Sequence, residues 1–312
     1  MTAPLLKWAG GKRQLLPALR RFYPSSFGRY FEPFLGSGAV FFDLSGAGRL
    51  AGNEVVLIDS NPDLIGCYLM VRDRSEEVAG ALGVLAEGHA TGGSTHYYAV
   101  RDGQFNPERE ARVTGDRAIT YTPQLAAMLI YLNRTGFNGL FRVNAQGRFN
   151  VPAGRYLRPR IVDRKRLFAV ASALSANGVR LQVGHYSTVL DLAQPGDFLY
   201  FDPPYAQAST TANFTSYTSQ GFDADAQEGL QRAVVALARR GCYVVLSNSR
   251  TPLTRALYDG NAEAEAAGLR AYRVCARRAV NSNPSRRGPV DEYIITNVTA
   301  GEGETGRRRA RS

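Results

Sequence analysis

Short apolar runs alternate along this chain with longer stretches of helical periodicity. The runs 30–34, 55–58, 179–183, 198–201 and 243–247 are too short for helices and read as strands within a sheet. Segments 270–280 and 292–296 read as a late antiparallel pair. Between them, 38–44, 63–73, 164–177 and 226–239 carry helical patterns. Strands that alternate with helices predict an α/β sheet covered on both faces. The first two strands are close together, but the third begins only at Val179, which predicts an insertion into one sheet. Within the insertion, 124–132 reads as an apolar helix and 133–166 as a loop-like segment punctuated by Gly136, Gly139, Gly147 and Gly154. Residues 80–117, rich in Gly, Ala and polar side chains, give no clear pattern, and the Gly- and Arg-rich end, 299–312, is expected to be disordered.

Composition narrows the class. At 312 residues, 44% hydrophobic and 21% charged, the chain has the make-up of a soluble globular protein with one large core and a smaller insertion. It has no apolar run of membrane-spanning length, and its start lacks the apolar core of a signal peptide, so a cytoplasmic protein with no membrane partner is expected. Cys67, Cys242 and Cys275, with His89, His96 and His185, have neither disulfide nor zinc spacing, and no metal is expected. The net charge is +11. Arg307, Arg308, Arg309 and Arg311, offset by Glu302 and Glu304, supply only +2 of it, which leaves about +9 elsewhere. A balance this basic favours a polyanionic partner, although solubility alone also accounts for it.

Two strand exits carry the candidate chemistry. In Phe31-Glu32-Pro33-Phe34-Leu35-Gly36-Ser37-Gly38 a strand runs into a glycine-containing turn and then a helix, where the backbone can approach a ligand closely. Asp59, at the end of the next strand, has the placement of an acid that binds the ribose hydroxyls of an adenosine cofactor. A nicotinamide dehydrogenase remains open on this loop alone, but it expects a third glycine where Phe41 stands. The second exit is Phe198-Leu199-Tyr200-Phe201-Asp202-Pro203-Pro204-Tyr205. Its acid sits at the carboxyl end of a buried strand, where ligand crevices form in open α/β sheets. The prolines fix φ and leave their carbonyls to accept hydrogen bonds. With Asp202 and the ring of Tyr205 they make a rigid pocket suited to a planar base and its exocyclic amino group.

Segment 133–166 is the strongest nucleic-acid signal. It holds Arg134, Arg142, Arg148, Arg155, Arg158, Arg160, Arg164, Lys165 and Arg166 against Asp163 alone, interleaved with Phe137, Phe141, Phe149 and Tyr156. Cations of this kind neutralise phosphates, and arginine reads guanine in the major groove.

Taken together these motifs resemble the Dam-type (D12 class) DNA adenine-N6 methyltransferases. The order is the family's: an N-terminal segment, here Leu6-Lys7-Trp8-Ala9-Gly10-Gly11-Lys12; the cofactor loop; an inserted recognition hairpin, Leu132 to Arg142 and Val151 to Tyr156; and the Asp-Pro-Pro-Tyr motif. The resemblance spans about residues 5–297. It implies a Rossmann-like methyltransferase sheet with an inserted, mainly helical DNA-recognition domain carrying a β-hairpin. Residues 1–62 and 164–298 would form the catalytic domain and 63–163 the insertion. It also implies S-adenosylmethionine as cofactor, held by Trp8, Lys12, Glu32, Pro33, Phe34, Gly36, Gly38, Asp59 and Asp202. Catalysis would fall to Asp202, Pro203, Pro204 and Tyr205. Double-stranded DNA would be the substrate. Lys7 and Arg134 would approach it, Phe137 and Asn138 would lie at the flipped base step, Leu140, Arg142 and Pro152 would read bases, and Arg155 with Tyr156 would hold the backbone. The match over 138–142 favours GATC as target, and a monomer in the cytoplasm of a bacterium or a phage host is expected. Tyr97, Tyr98, Arg101, Phe105 and Asn106 also resemble the family, with one residue more than expected between Arg101 and Phe105. A cytosine-N4 methyltransferase more often has Ser where Asp202 stands, and a non-catalytic DNA-binding protein would leave the pocket unused.

Overall fold

The computed structural model describes residues 2–8, 10, 12–114, 118–204, 222–277 and 289–301. Seven strands form one sheet: β1 (Tyr30–Glu32), β2 (Val55–Asp59), β3 (Val179–Val183), β4 (Phe198–Phe201), β5 (Tyr243–Ser249), β6 (Arg270–Arg277) and β7 (Pro289–Thr296). Their spatial order is β3-β2-β1-β4-β5-β7-β6. The first five are parallel, with Tyr30 beside Val55 on one side and Phe198 on the other, and β7 runs antiparallel between β5 and β6. The order reverses between β1 and β4. A crevice therefore opens there, at the carboxyl ends of the strands.

Strand alternation divides the core in two. Tyr30, Val55, Leu57, Phe198, Tyr200 and Val245 face one side of the sheet, and Phe31, Val56, Ile58, Leu199, Phe201 and Leu246 face the other. Helices α1 (Leu16–Leu19), α2 (Ala39–Gly46) and α3 (Pro62–Asp73) contribute to the first face. Helix α4 (Ser75–Val100) is followed by a π-helical turn (Arg101–Phe105), α5 (Asn106–Ala111), α6 (Pro123–Thr135) and α7 (Arg164–Leu174), and the buried apolar residues of all but α5 join the same cluster. On the opposite face lie α8 (Val189–Leu192), α9 (Ala224–Arg239), α10 (Pro252–Tyr258) and α11 (Ala262–Ala266). The two-faced α/β sheet expected from the sequence is the fold observed.

The structure adds to the sequence reading in three places. The unpatterned stretch is largely α4, whose backbone leaves helical geometry at Gly93 (φ 49°, ψ −126°) and so breaks the apolar period. The residue in excess between Arg101 and Phe105 falls in the π-helical turn, a form that takes one more residue per hydrogen-bonded turn than an α-helix. The loop-like segment begins inside α6 and ends inside α7, and its centre folds back on itself. Antiparallel bridges join Gly136 to Ala153 and Val143 to Phe149, around a turn closed by the Gly147 N–H on the Asn144 carbonyl at 2.9 Å. At the far end, the Gly301 N–H donates to the Arg21 carbonyl at 3.2 Å. The rest of the tail expected to be disordered lies outside the described residues.

Candidate active site

Three parallel strands deliver one acid each to the crevice. Asp202 follows β4 directly and is 21% exposed. Its Oδ1 is 2.7 Å from Lys12 Nζ and accepts from Ser247 Oγ at 3.2 Å. Lys12 is buried, and its Nζ also donates to the Gly10 carbonyl at 2.8 Å. Ser247, on β5, shares its hydroxyl with Tyr200 at 3.0 Å. Burial pushes the Asp202 carboxyl up to about 6, against the pull of Lys12. Pro203 is buried behind it. The Pro204 carbonyl, expected to stay open, accepts instead from Gln227 Nε2 at 3.2 Å. Gln227 is held in turn by Asn248, whose Nδ2 donates to its Oε1 at 2.9 Å. This brace escaped the sequence reading. Its signal was a polar residue on the apolar stripe of α9, beside Leu230 and Val234. Tyr205 lies outside the described residues.

The glycine loop stands beside this acid. Gly36 (φ 48°) and Gly38 (φ 68°) both take left-handed backbone, which explains glycine at each. A Cβ on Gly36 would also meet the indole of Trp8 at 3.0 Å. Asp59 ends β2. Its Oδ2 accepts the Gly36 N–H and its Oδ1 the Asn61 N–H, both at 2.9 Å, and burial lifts its carboxyl to about 6. Phe34 stacks on Tyr186 at 5.2 Å, and Pro33 is buried at the strand end. Glu32 is buried at 1% exposure, where its Oε2 accepts from the Tyr30 hydroxyl at 2.7 Å and the Phe41 N–H at 2.9 Å. Burial raises it to about 8, and the neighbouring charges of Asp202 and Asp59 push the same way. The crevice thus gathers carboxyls whose charged forms burial disfavours, and a cationic ligand would relieve that cost.

The N-terminal segment fastens this site to the hairpin. Asn133 bridges them: its Oδ1 accepts the Lys7 N–H at 2.8 Å, and its Nδ2 donates to the carbonyls of Lys7 (2.8 Å) and Gly139 (2.7 Å). Trp8 stacks on Phe141 of the hairpin at 5.8 Å. Lys7 Nζ lies 4.5 Å from the centroid of the Tyr156 ring and donates to its hydroxyl at 3.2 Å. At the opening of the hairpin, Phe137 is 40% exposed, and Asn138 is the one non-glycine residue with positive φ (54°) among the described residues. Such a strained position marks a candidate functional tip. Leu140 is half-buried, Pro152 and Arg155 are exposed, and Arg142 reaches across the hairpin to Asn150 Oδ1 at 2.7 Å.

The cations of the segment are less uniform than the sequence suggested. Arg134 is 8% exposed and donates to the carbonyls of Arg160 (2.7 Å) and Leu5 (3.2 Å). Glu110 and Glu76, from other elements, pair with Arg148 (3.1 Å) and Arg164 (2.7 Å). Arg155 and Arg158 are exposed beside Tyr156 and the fully exposed Leu157.

The family model for D12 class N6 adenine-specific DNA methyltransferases matches residues 8–272. The Type II methyltransferase M1.LlaDCHI of Lactococcus lactis subsp. cremoris is 36% identical over 94% of this chain and 95% of its own. The Type II methyltransferase M.MjaIII of Methanocaldococcus jannaschii is 33% identical over 94% and 98%. The DNA adenine methylase of Escherichia coli K12 is 34% identical over 93% of each chain. The chain belongs to the D12 class of N6 adenine-specific DNA methyltransferases.

Proposed function

We propose that this enzyme transfers a methyl group from S-adenosylmethionine to N6 of an adenine flipped out of duplex DNA, within GATC or a similar short site. The observation that carries the reading is a half-buried, ion-paired carboxylate, Asp202, at the strand switch point beside the glycine loop and Asp59. The cofactor fits the residues present. Asp59 offers oxygens oriented by two backbone N–H groups for ribose hydroxyls, and the half-buried carboxylates of Asp59 and Asp202 favour a cation. When bound, the cofactor supplies an activated methyl group on a positively charged sulfur. Trp8, Lys12, Pro33, Phe34, Gly36 and Gly38 complete its surroundings.

The remaining work falls to the chain. The lone pair of adenine N6 is conjugated with the ring and nucleophilic only once drawn out of it. Ionised Asp202 accepts one amino hydrogen and the Pro203 carbonyl the other, which turns the lone pair toward the methyl group. Lys12 keeps the carboxylate charged, and the Gln227–Asn248 brace fixes the proline backbone. Such catalysis is positioning and preorganised electrostatics. Flipping the base costs a few kcal/mol. Stacking on Tyr205 offsets about 1–3 kcal/mol of it, and Phe137 fills the gap beside Asn138. Leu140, Arg142 and Pro152 meet the bases, while Lys7, Arg155 and Tyr156 meet phosphates. Arg134 braces Leu5 and Arg160 rather than touching DNA. On this reading residues 63–163 are the recognition insertion and 1–62 with 164–298 the catalytic domain. The test is to map methylated bases in the DNA of cells expressing the chain. N6-methyladenine at one short motif is expected, and unmodified adenine throughout would sink the proposal.

A further inference from the structure

The hairpin leans on the rest of the fold as well as on its own few bonds. Among the described residues its arms meet in two isolated bridges rather than a continuous ladder, and a lone two-stranded hairpin is marginal in water. Its returning arm is also clamped from outside. The Asn106 side chain accepts the Phe149 N–H at 2.8 Å and donates to its carbonyl at 3.0 Å. The Tyr97 hydroxyl and Arg101 Nη1 both donate to the Val151 carbonyl at 2.9 Å.

The turn closes on itself through Asn144, and Arg109 of α5 ties it to the sheet side of the fold. Its Nη1 donates to the Gly147 carbonyl at 2.6 Å. Its Nε and Nη2 grip Asp63 Oδ1 and Oδ2 at 2.7 and 2.8 Å, and Tyr121 adds its hydroxyl to the same carboxylate at 2.9 Å. Asp63 is 1% exposed and stands in the first turn of α3. Its N–H donates to Asn61 Oδ1 at 2.9 Å, and the Asn61 N–H donates to Asp59. A continuous chain of bonds therefore runs from the acid that holds the glycine loop to the turn of the hairpin. Only a planar guanidinium fork spans two carboxylate oxygens and a carbonyl at once.

We infer that Arg109 is a positioning residue that sets the hairpin turn against the catalytic frame, and through it the selectivity for the DNA site. The inference rests on the hairpin being the DNA-recognition element. Arg109→Lys keeps the charge beside Asp63 but loses the fork. Steady-state methylation of duplexes carrying the preferred site and its single-base variants reads the effect. Relative to wild type, KM for the preferred duplex should rise about tenfold, the scale of a lost charged hydrogen bond. The preference over variants should narrow, and kcat and cofactor affinity should hold. Glu110→Ala, which breaks the exposed pair with Arg148 but leaves the hydrogen bonds of Arg109 in place, should change KM far less than Arg109→Lys. If the lysine variant fails to fold, Tyr121→Phe takes its place and should raise KM in the same sense with kcat unchanged. Unaltered KM and preference in a folded variant, or kcat and melting temperature falling together at constant KM, would overturn the inference. A wild-type enzyme that methylates DNA without site preference would instead remove the reading beneath it.

Discussion

Glu32 offers a sharp test of the electrostatics at the crevice. Its carboxyl is buried among Tyr30, Phe41 and the sheet, and burial lifts it from 4.5 to about 8. Between those values the folded chain keeps a proton that the unfolded chain has lost. Folding stability is therefore full below pH 4.5 and falls as pH rises toward 8. Each unit is worth about 1.36 kcal/mol, so the two and a half units up to pH 7 remove on the order of 3 kcal/mol. Glu32→Gln cannot titrate, and its amide oxygen can accept from both Tyr30 and Phe41. The difference in unfolding free energy between variant and wild type should therefore grow in the variant's favour by about 3 kcal/mol from pH 4.5 to pH 7. Urea titrations of both proteins across that range, without cofactor, measure it. Taking the difference removes the parallel titrations of Asp59 and Asp202. Curves that stay parallel with pH would refute the burial argument for Glu32.

Two further outcomes follow from the site. On the proposed mechanism Asp202 accepts a hydrogen only when ionised, so kcat/KM should fall about tenfold per unit below its value of about 6 and level off above it. The acidic limb should persist in Asp59→Asn, and its persistence in Asp202→Asn as well would place the titration elsewhere. Arg134 and Arg155 should separate cleanly. Arg134→Met leaves buried carbonyls unpaired and should cost about 1–3 kcal/mol of stability with no change in the salt dependence of DNA binding. Arg155→Ala should leave stability alone and reduce the salt slope by about 0.9. The opposite pattern would exchange the two roles.

The sheet was legible because β4 is apolar throughout, β2 is apolar up to Asp59, and β3 alternates apolar with polar residues. Val179–Val183 and Phe198–Phe201 match the sequence expectation at both ends. The late pair was readable too, although β7 begins at Pro289, before the apolar run. Helix α4 was not, since Gly88, Gly92 and Gly93 interrupt it and its period restarts at the Gly93 kink. What keeps it helical is tertiary packing of Val78, Leu82, Leu85, Tyr97 and Val100 into the shared core, which no local pattern declares. At the site, the Asp202 and Asp59 strand exits could be read because chain order alone places them at strand ends. The partners of those acids come from distant parts of the chain: Lys12 and Ser247 on Asp202, Gln227 on Pro204, Arg109 on Asp63. Arg134 shows the converse. Its place in a basic run suggested DNA contact, and only the fold reveals that it is inside.

On the proposed mechanism Asp202 directs a methyl group onto an adenine amino nitrogen. This role is tested most directly by incubating duplex DNA with the protein and S-adenosylmethionine labelled in the methyl group, then hydrolysing the DNA and separating the bases. The wild-type chain should place the label in N6-methyladenine, and Asp202→Ala should place none while still binding the cofactor. Label recovered in cytosine, or transfer by Asp202→Ala at the wild-type rate, would contradict the claim.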